Sequence, residues 1–443
     1  MLEPSWIWGI VEIALLVVLC MVGVHVFAAT GIVGAVFSII YLGFVNGIIQ
    51  VGTVGWDQMN NYHFSMIPLF VLMGTWVASA GLGKDAVDAA MRWLARVKGS
   101  LATVSVFANA FFAACEGSLI ASLAAIGSIC LPEMKRYGYS AALRTGALSS
   151  GSMLSNLIPP SGMAIIYSIL TDQSVGKLFI AGIVPGLILV VLFCSVIFVW
   201  ATLRPQDAPP LPPEVRFTLA EKIKGTALIA PIIIIFVVII LGIYMGWFSP
   251  TEAAGIGATT VLIVALAYRR MNWHSFRTGL REGILLSVMV LFVIITAFIF
   301  SYTIVATGLS RSIGNLVEAA GLSYIPVSYA ISIIFLILGC FLNPVALQVL
   351  FIPLFFPVIT TVTGAPPMAG IWFGVLVIML IEVGFLTPPV APALYVVQML
   401  DGCPTKDVFK GVVPFYAASV LLIVLLIHFP FLATWLPSKM IGA

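Results

Sequence analysis

Two proline pairs carry the clearest chemistry in this sequence. One lies in "LIPPSGMAIIY" (157–167), the other in "GFLTPPVAP" (384–392). Each interrupts an apolar run. A proline removes one backbone N–H and clashes with the carbonyl a turn earlier. In a hydrocarbon environment a carbonyl left without a partner costs several kcal/mol. A cation that sheds its water is a natural partner for such oxygens. Gly384 would permit close approach at the later break, Thr387 adds a hydroxyl, and Pro388 frees the carbonyl. The earlier break holds Ser155, Asn156, Ile158, Pro159 and Ser161. Two carboxylates lie in apolar surroundings, Glu116 and Glu382. An ionisable residue at membrane depth is a functional hypothesis by default.

The elements that hold these residues are helical and apolar. Of 443 residues, 61% are hydrophobic and 8% charged, against about 25% charged in soluble domains. Apolar runs of helix-spanning length recur along the chain, so the fold class is an all-α polytopic membrane protein. The N-terminus has no basic leader before its apolar run, which argues against a cleaved signal peptide. Six cysteines fit neither a disulfide framework nor zinc spacing. There is no phosphate-binding G-x-x-x-x-G-K-[ST], no H-E-x-x-H and no Ser/His pair at matched depth. The chain therefore reads as no enzyme, with no organic cofactor and no nucleic-acid partner; membrane lipids surround it.

The chain repeats itself. Residues 157–185 and 386–414 align without a gap at an offset of 229, with nine identities in 29 positions. Apolar composition inflates matches among Leu, Val and Ala, but not the paired Pro-Pro, Asp172/Asp401 and Lys177/Lys406. The proline-rich stretch 204–222 separates an N-terminal half (1–203) from a C-terminal half (223–443). Spans are expected near 7–28, 31–50, 65–81, 178–203, 225–247, 251–268, 283–305 and 411–433. Broken spans are expected at 141–172 and 368–400, and re-entrant hairpins at 101–134 and 326–361. With that layout 17 of the 20 Lys and Arg residues fall on one side, which the positive-inside rule makes cytoplasmic. The Asp172–Lys177 loop then lies outside and the Asp401–Lys406 loop inside, so the repeats have inverted topology. Inverted repeats with discontinuous helices are the architecture of secondary transporters.

Six motifs in order resemble one family: "IPLFVLMG" (67–74), "EGSLIASLAAIGSICLPEMKRYGY" (116–139), "LIPPSGMAIIY", "SPTEAAGIG" (249–257), "GCFLNPVALQVLFIPLFFPV" (339–358) and "GFLTPPVAP". The chain resembles the large membrane subunit of tripartite ATP-independent periplasmic (TRAP) transporters, within the wider ion-transporter superfamily. The resemblance implies an elevator-type sodium symporter in the bacterial inner membrane. It also implies a periplasmic binding protein that delivers a small organic anion, a carboxylate or sulfonate. A separate small membrane subunit of four helices would complete the set. Sodium as coupling ion would sit at two sites. The first would use the hairpin tip Glu116, Gly117 and Ser118 with Ser155, Ile158 and Pro159. The second would use Gly339 with Gly384, Thr387 and Pro388. Asn343, Asn156, Ser161 and Glu382 are candidates for the substrate cavity.

The first site departs from the family pattern. Its tip reads Glu116-Gly117-Ser118-Leu119 where S-G-S-S is usual, and Ser155 stands where glycine is usual. Three roles for Glu116 stay open: cation ligand, proton carrier or contact for a cationic substrate group. A helix N-terminal carboxylate favoured by the dipole is the bland alternative. A carrier of the same superfamily working alone, and a proton-coupled symporter using Glu116, are the competing functions. Ser249-Pro250-Thr251-Glu252 reads as a helix cap, Lys84–Lys98 as an amphipathic helix on the cytoplasmic lipid surface, and Gly182 with Gly186 as small-residue helix packing.

Overall fold

Glycines and prolines, more than polar segments, divide this chain into helices. The computed structural model describes residues 5–116, 119–212, 214–388 and 390–440, and leaves out the side chains of 63, 113–116, 231 and 232. Among the described residues there is no β-strand. The chain opens with α1 (Trp6–Met21), α2 (Val26–Leu42) and α3 (Phe44–Met59). The expected single span at 31–50 is therefore corrected: it is divided at Gly43, whose φ of +80° no ordinary helix accommodates. α3 folds back along α2, and a methyl on Gly47 would strike the Ile39 backbone.

Next come α4 (Met66–Ser79), α5 (Leu82–Leu94), α6 (Ser100–Glu116), α7 (Leu119–Arg136), α8 (Ala141–Ser152), α9 (Leu154–Leu157), α10 (Gly162–Thr171) and α11 (Val175–Leu203). Two intervening helices follow, α12 (Leu219–Tyr244) and α13 (Pro250–Ala267). The C-terminal half contains α14 (Trp273–Ala306), α15 (Leu309–Ala319), α16 (Tyr324–Gly339), α17 (Pro344–Thr361), α18 (Ala369–Phe385), α19 (Pro392–Asp401), α20 (Thr405–His428) and α21 (Phe431–Thr434).

The order of elements from α4 to α11 recurs from α14 to α20. In each series a span meets an amphipathic helix at a left-handed glycine, Gly81 (φ +70°) or Gly308 (φ +69°); α4 and α5 are bent by 67°. A packed helix pair follows, α6 with α7 or α16 with α17. Then comes an interrupted helix and a long helix with an internal proline, Pro185 or Pro414. The segment Ala141–Leu157, which comprises α8 and α9, is bent by 42° from α10 at the first interruption.

Local chemistry sets the helix ends. Thr218 and Glu221 form a reciprocal capping box, so α12 begins inside the stretch expected as linker. Ser249 and Glu252 form the second box, with Pro250 at the first helical position, as the S-x-x-E spacing predicts. Arg277 and Arg281, which lie ahead of the span expected near 283–305, belong with it to the continuous 34-residue α14. At 1.5 Å per residue such a helix is about 50 Å long, so it outreaches the hydrocarbon layer.

Among the described residues, five helices are long and apolar enough to cross a membrane, or up to eight if each bent pair is one span. The outer faces agree: Trp6, Ile7, Phe44, Ile48, Leu285 and Phe292 are exposed. The centre is α18, where every residue from Gly370 to Phe385 is buried. A separate buried polar knot ties α1 to α2 and α14: Tyr41 Oη donates to Glu12 Oε1 at 2.5 Å, and Thr303 Oγ1 meets Oε2 at 2.7 Å.

Candidate functional site: two helix breaks around α18

The first break runs from α9 to α10. Ile158 is extended (φ −79°, ψ 126°), and Pro159 and Pro160 have no N–H to offer the carbonyls of Ser155 and Asn156. Ser161 closes part of the gap. Its hydroxyl donates to the Asn156 carbonyl and accepts from Ala164 N, which caps α10. Ser155 Oγ donates to the Ser152 carbonyl at 2.6 Å. α11 presses on this break through two glycines. A methyl on Gly182 would collide with the Leu157 carbonyl oxygen, and one on Gly186 would come within 2.8 Å of Ile158 Cγ1. The Gly182–Gly186 pair therefore packs against the interrupted backbone itself, a role sequence spacing did not reveal.

The second break follows α18. Thr387 N donates to the Gly384 carbonyl at 2.9 Å and Thr387 Oγ1 to the Val383 carbonyl at 2.6 Å. The Thr387 oxygen keeps lone pairs to spare. Beyond Pro388, Ala391 precedes α19 as its N-cap residue, held at φ +41°. The end of α16 reaches this break: a methyl on Gly339 would lie 2.7 Å from Gly384 Cα, and Cys340 Sγ donates to the Pro388 carbonyl at 3.5 Å. Gly339, Gly384, Thr387 and Pro388, grouped by resemblance, are thus assembled in space.

Glu116 is the last residue of α6; its side chain, and Gly117 and Ser118 entirely, lie outside the described residues. The arms that carry this tip are joined by Ser122 Oγ donating to Asn109 Oδ1 at 2.6 Å. Asn343 caps α17 by accepting from Ala346 N at 2.8 Å, and it is exposed. Asn156 and Glu382 come together: Asn156 Nδ2 donates to Glu382 Oε1 at 2.6 Å, from one break to the helix that precedes the other. Both are buried.

Two features were missed from sequence. Arg144 at the start of α8 makes a bidentate pair with Asp401 at the end of α19, at 2.7 and 2.8 Å, and also donates to the Tyr139 carbonyl. Gln348 in α17 donates to the Met163 carbonyl at 3.1 Å, which ties the hairpin to α10. Charged or amide side chains in otherwise apolar runs were the available signal in both cases. A cleft of about 640 Å³ lies away from the breaks, lined by Ala306, Arg311, Asn315, Glu318, Thr361 and Thr363.

The available oxygens at both breaks are carbonyl and hydroxyl groups on interrupted helices of a helical membrane protein; Ser155, Asn156 and Ser161 are buried, Thr387 is half-buried and Pro388 is exposed. Oxygen-only sets of this kind suit a hard cation. Such a combination defines a membrane transport protein of the discontinuous-helix class. Residues 13–432 match the family described as "Tripartite ATP-independent periplasmic transporter, DctM component", and the chain belongs to that family as a large permease subunit. It is 32% identical over 383 residues to the C4-dicarboxylate TRAP transporter large permease protein DctM of Pseudomonas aeruginosa, covering 86% of this chain and 88% of that one. It is 27% identical over 389 residues to the sialic acid TRAP transporter large permease protein SiaM of Vibrio cholerae, covering 87% and 88%. Among solved structures, the Alcanivorax borkumensis YdaH transporter matches with a TM-score of 0.58 at 14% identity, over 89% of this chain and 91% of that one. That last likeness concerns the fold alone.

Proposed function

We propose that this permease carries a small organic anion across the bacterial inner membrane, driven by the sodium gradient. A periplasmic binding protein delivers the anion, and a separate small four-helix subunit braces the exposed apolar helices. The observation that carries this reading is the assembly of Gly339 against Gly384 beside Thr387, which places backbone oxygens of an interrupted helix next to a second helix end. The relatives named for C4-dicarboxylate and sialic acid transport support a carboxylate as substrate. In this reading the two halves have inverted topology. The hairpins and interrupted helices move together, elevator fashion, against the remaining helices. Sodium occupies both breaks, with Glu116 at the first.

The test is thermal unfolding of the purified full chain against sodium at constant ionic strength, with choline as balancing cation. Sodium at 100 times its dissociation constant should stabilise by about 2.7 kcal/mol per site. Glu116→Ser should weaken that response at the first break. A melting curve indifferent to sodium sinks the reading. Sensitivity to pH near neutrality, flattened by Glu116→Ser, would replace it with proton coupling.

A further inference from the structure

Two glutamates are fully buried in the described core, Glu12 and Glu382, and they are treated very differently. Glu12 has both oxygens hydrogen-bonded, by Tyr41 and Thr303, as a purely structural buried acid should. Glu382 has one. Asn156 donates to Oε1 at 2.6 Å, while Oε2 is buried with no partner. No salt bridge reaches Glu382 among the described residues. An unpaired carboxylate oxygen at 0% exposure is costly, and such exceptions call for an explanation.

The position of the pair supplies one. Asn156 belongs to α9, and its carbonyl is held by the Ser161 hydroxyl that caps α10. Its backbone is therefore part of the first break. Glu382 lies two residues before Gly384, in the last turns of α18, where Thr387 folds back onto Val383 and Gly384. One side-chain hydrogen bond thus joins the two breaks across 226 positions of sequence. Moving the Gly384–Thr387 oxygens toward a cation shifts the final turn of α18, and Glu382 moves with it. Oε2 carries no bond that would hold the carboxylate back, so Glu382 follows that turn and passes its shift to Asn156 through the one bond.

We propose that the Asn156–Glu382 hydrogen bond is the positioning link that makes cation binding at one break depend on cation binding at the other. This rests on the two-cation reading above. In linkage terms the bond carries the coupling free energy between the sites, so its loss separates them without removing either.

The experiment is equilibrium binding of radiolabelled sodium to the purified full chain, with choline holding ionic strength constant. Wild type should bind with a Hill coefficient of about 2, the limit for two sites. Glu382→Leu and Asn156→Leu should each lower it to about 1 with two sodium ions still bound at saturation. The double variant should be no worse than either single one, because both remove the same bond. Glu382→Gln keeps an acceptor for Asn156 and should retain the wild-type coefficient. Melting in sodium-free buffer reports whether each variant is folded; if Glu382→Leu is not, Asn156→Leu and the milder Asn156→Ala remove the bond from the other side. Unchanged cooperativity in the folded leucine and alanine variants overturns the proposal. So does a coefficient of about 1 in wild type, or loss of cooperativity in Glu382→Gln, while the sodium reading survives. Absence of sodium binding in wild type overturns both.

Discussion

Gly339 and Gly384 meet backbone to backbone: a methyl on either would lie within 3 Å of the other's Cα, at 2.7 and 2.9 Å. Neither neighbour is a flexible side chain that could swing away. Gly384→Ala should therefore cost about 1–3 kcal/mol through overpacking. It should also push the end of α16 off the second break. Thermal unfolding would show the loss in choline, and sodium should restore less stability than in wild type. A variant with wild-type sodium response would mean that this close approach is packing only.

Gly182→Ala should act on the first break instead. Its methyl meets the Leu157 carbonyl, which belongs to the interruption. Sodium binding should fall from two ions toward one per chain, with the second break intact. Equilibrium binding stoichiometry checks this. Gly186→Ala should be milder, because the Ile158 side chain it meets can change rotamer.

Arg144 and Asp401 link the first and second interrupted helices at their far ends, and both side chains are buried. Breaking a buried pair by removing one partner costs about 3–5 kcal/mol. Asp401→Asn should fall in that range. Arg144→Lys should not rescue the wild type, since an ammonium cannot reproduce the two parallel bonds. Replacing both residues by Met and Leu should recover most of the stability. Denaturant midpoints for the four proteins check these three expectations.

Tyr41→Phe leaves one oxygen of Glu12 without its donor inside the α1–α2–α14 knot. The expected cost is about 1–3 kcal/mol. Sodium response should be unchanged, because neither break involves these helices. A shift in sodium affinity would tie this knot to the transport site and contradict the assignment of Glu12 as structural.

The sequence made local interruptions readable and long-range contacts unreadable. Pro159 and Pro388 announce their breaks because proline acts on its own backbone. The start of α13 was readable for a similar local reason, through Ser249-Pro250, whereas Asn343, expected at the substrate cavity, caps α17. Gly43 escaped notice because a lone glycine between apolar runs looks like packing, although its φ of +80° ends α2. Gly182 was assigned to helix packing because its target, Leu157, is identified only by the fold. Arg144 and Asp401 were visible as charges, but nothing in their spacing says that residues 257 apart in sequence form one pair. Gly384, Thr387 and Pro388 were readable from the break itself; Gly339 joined them through family resemblance, and only the fold shows that it reaches them.

The complete burial of α18 has a consequence for how the protein is made. Its neighbours include α9, α10 and α11, synthesised earlier, and α16, α17 and α20, the last of which leaves the ribosome afterwards. Newly inserted α18 must wait beside lipid until α20 arrives. Its apolar residues tolerate that wait, but an acidic residue within an inserted helix is costly, by up to about 2.5–3.5 kcal/mol at the helix centre. Asn156 is already in the membrane by then. The bond that spans the two breaks in the finished permease is thus also available as an early receptor for Glu382 during biosynthesis.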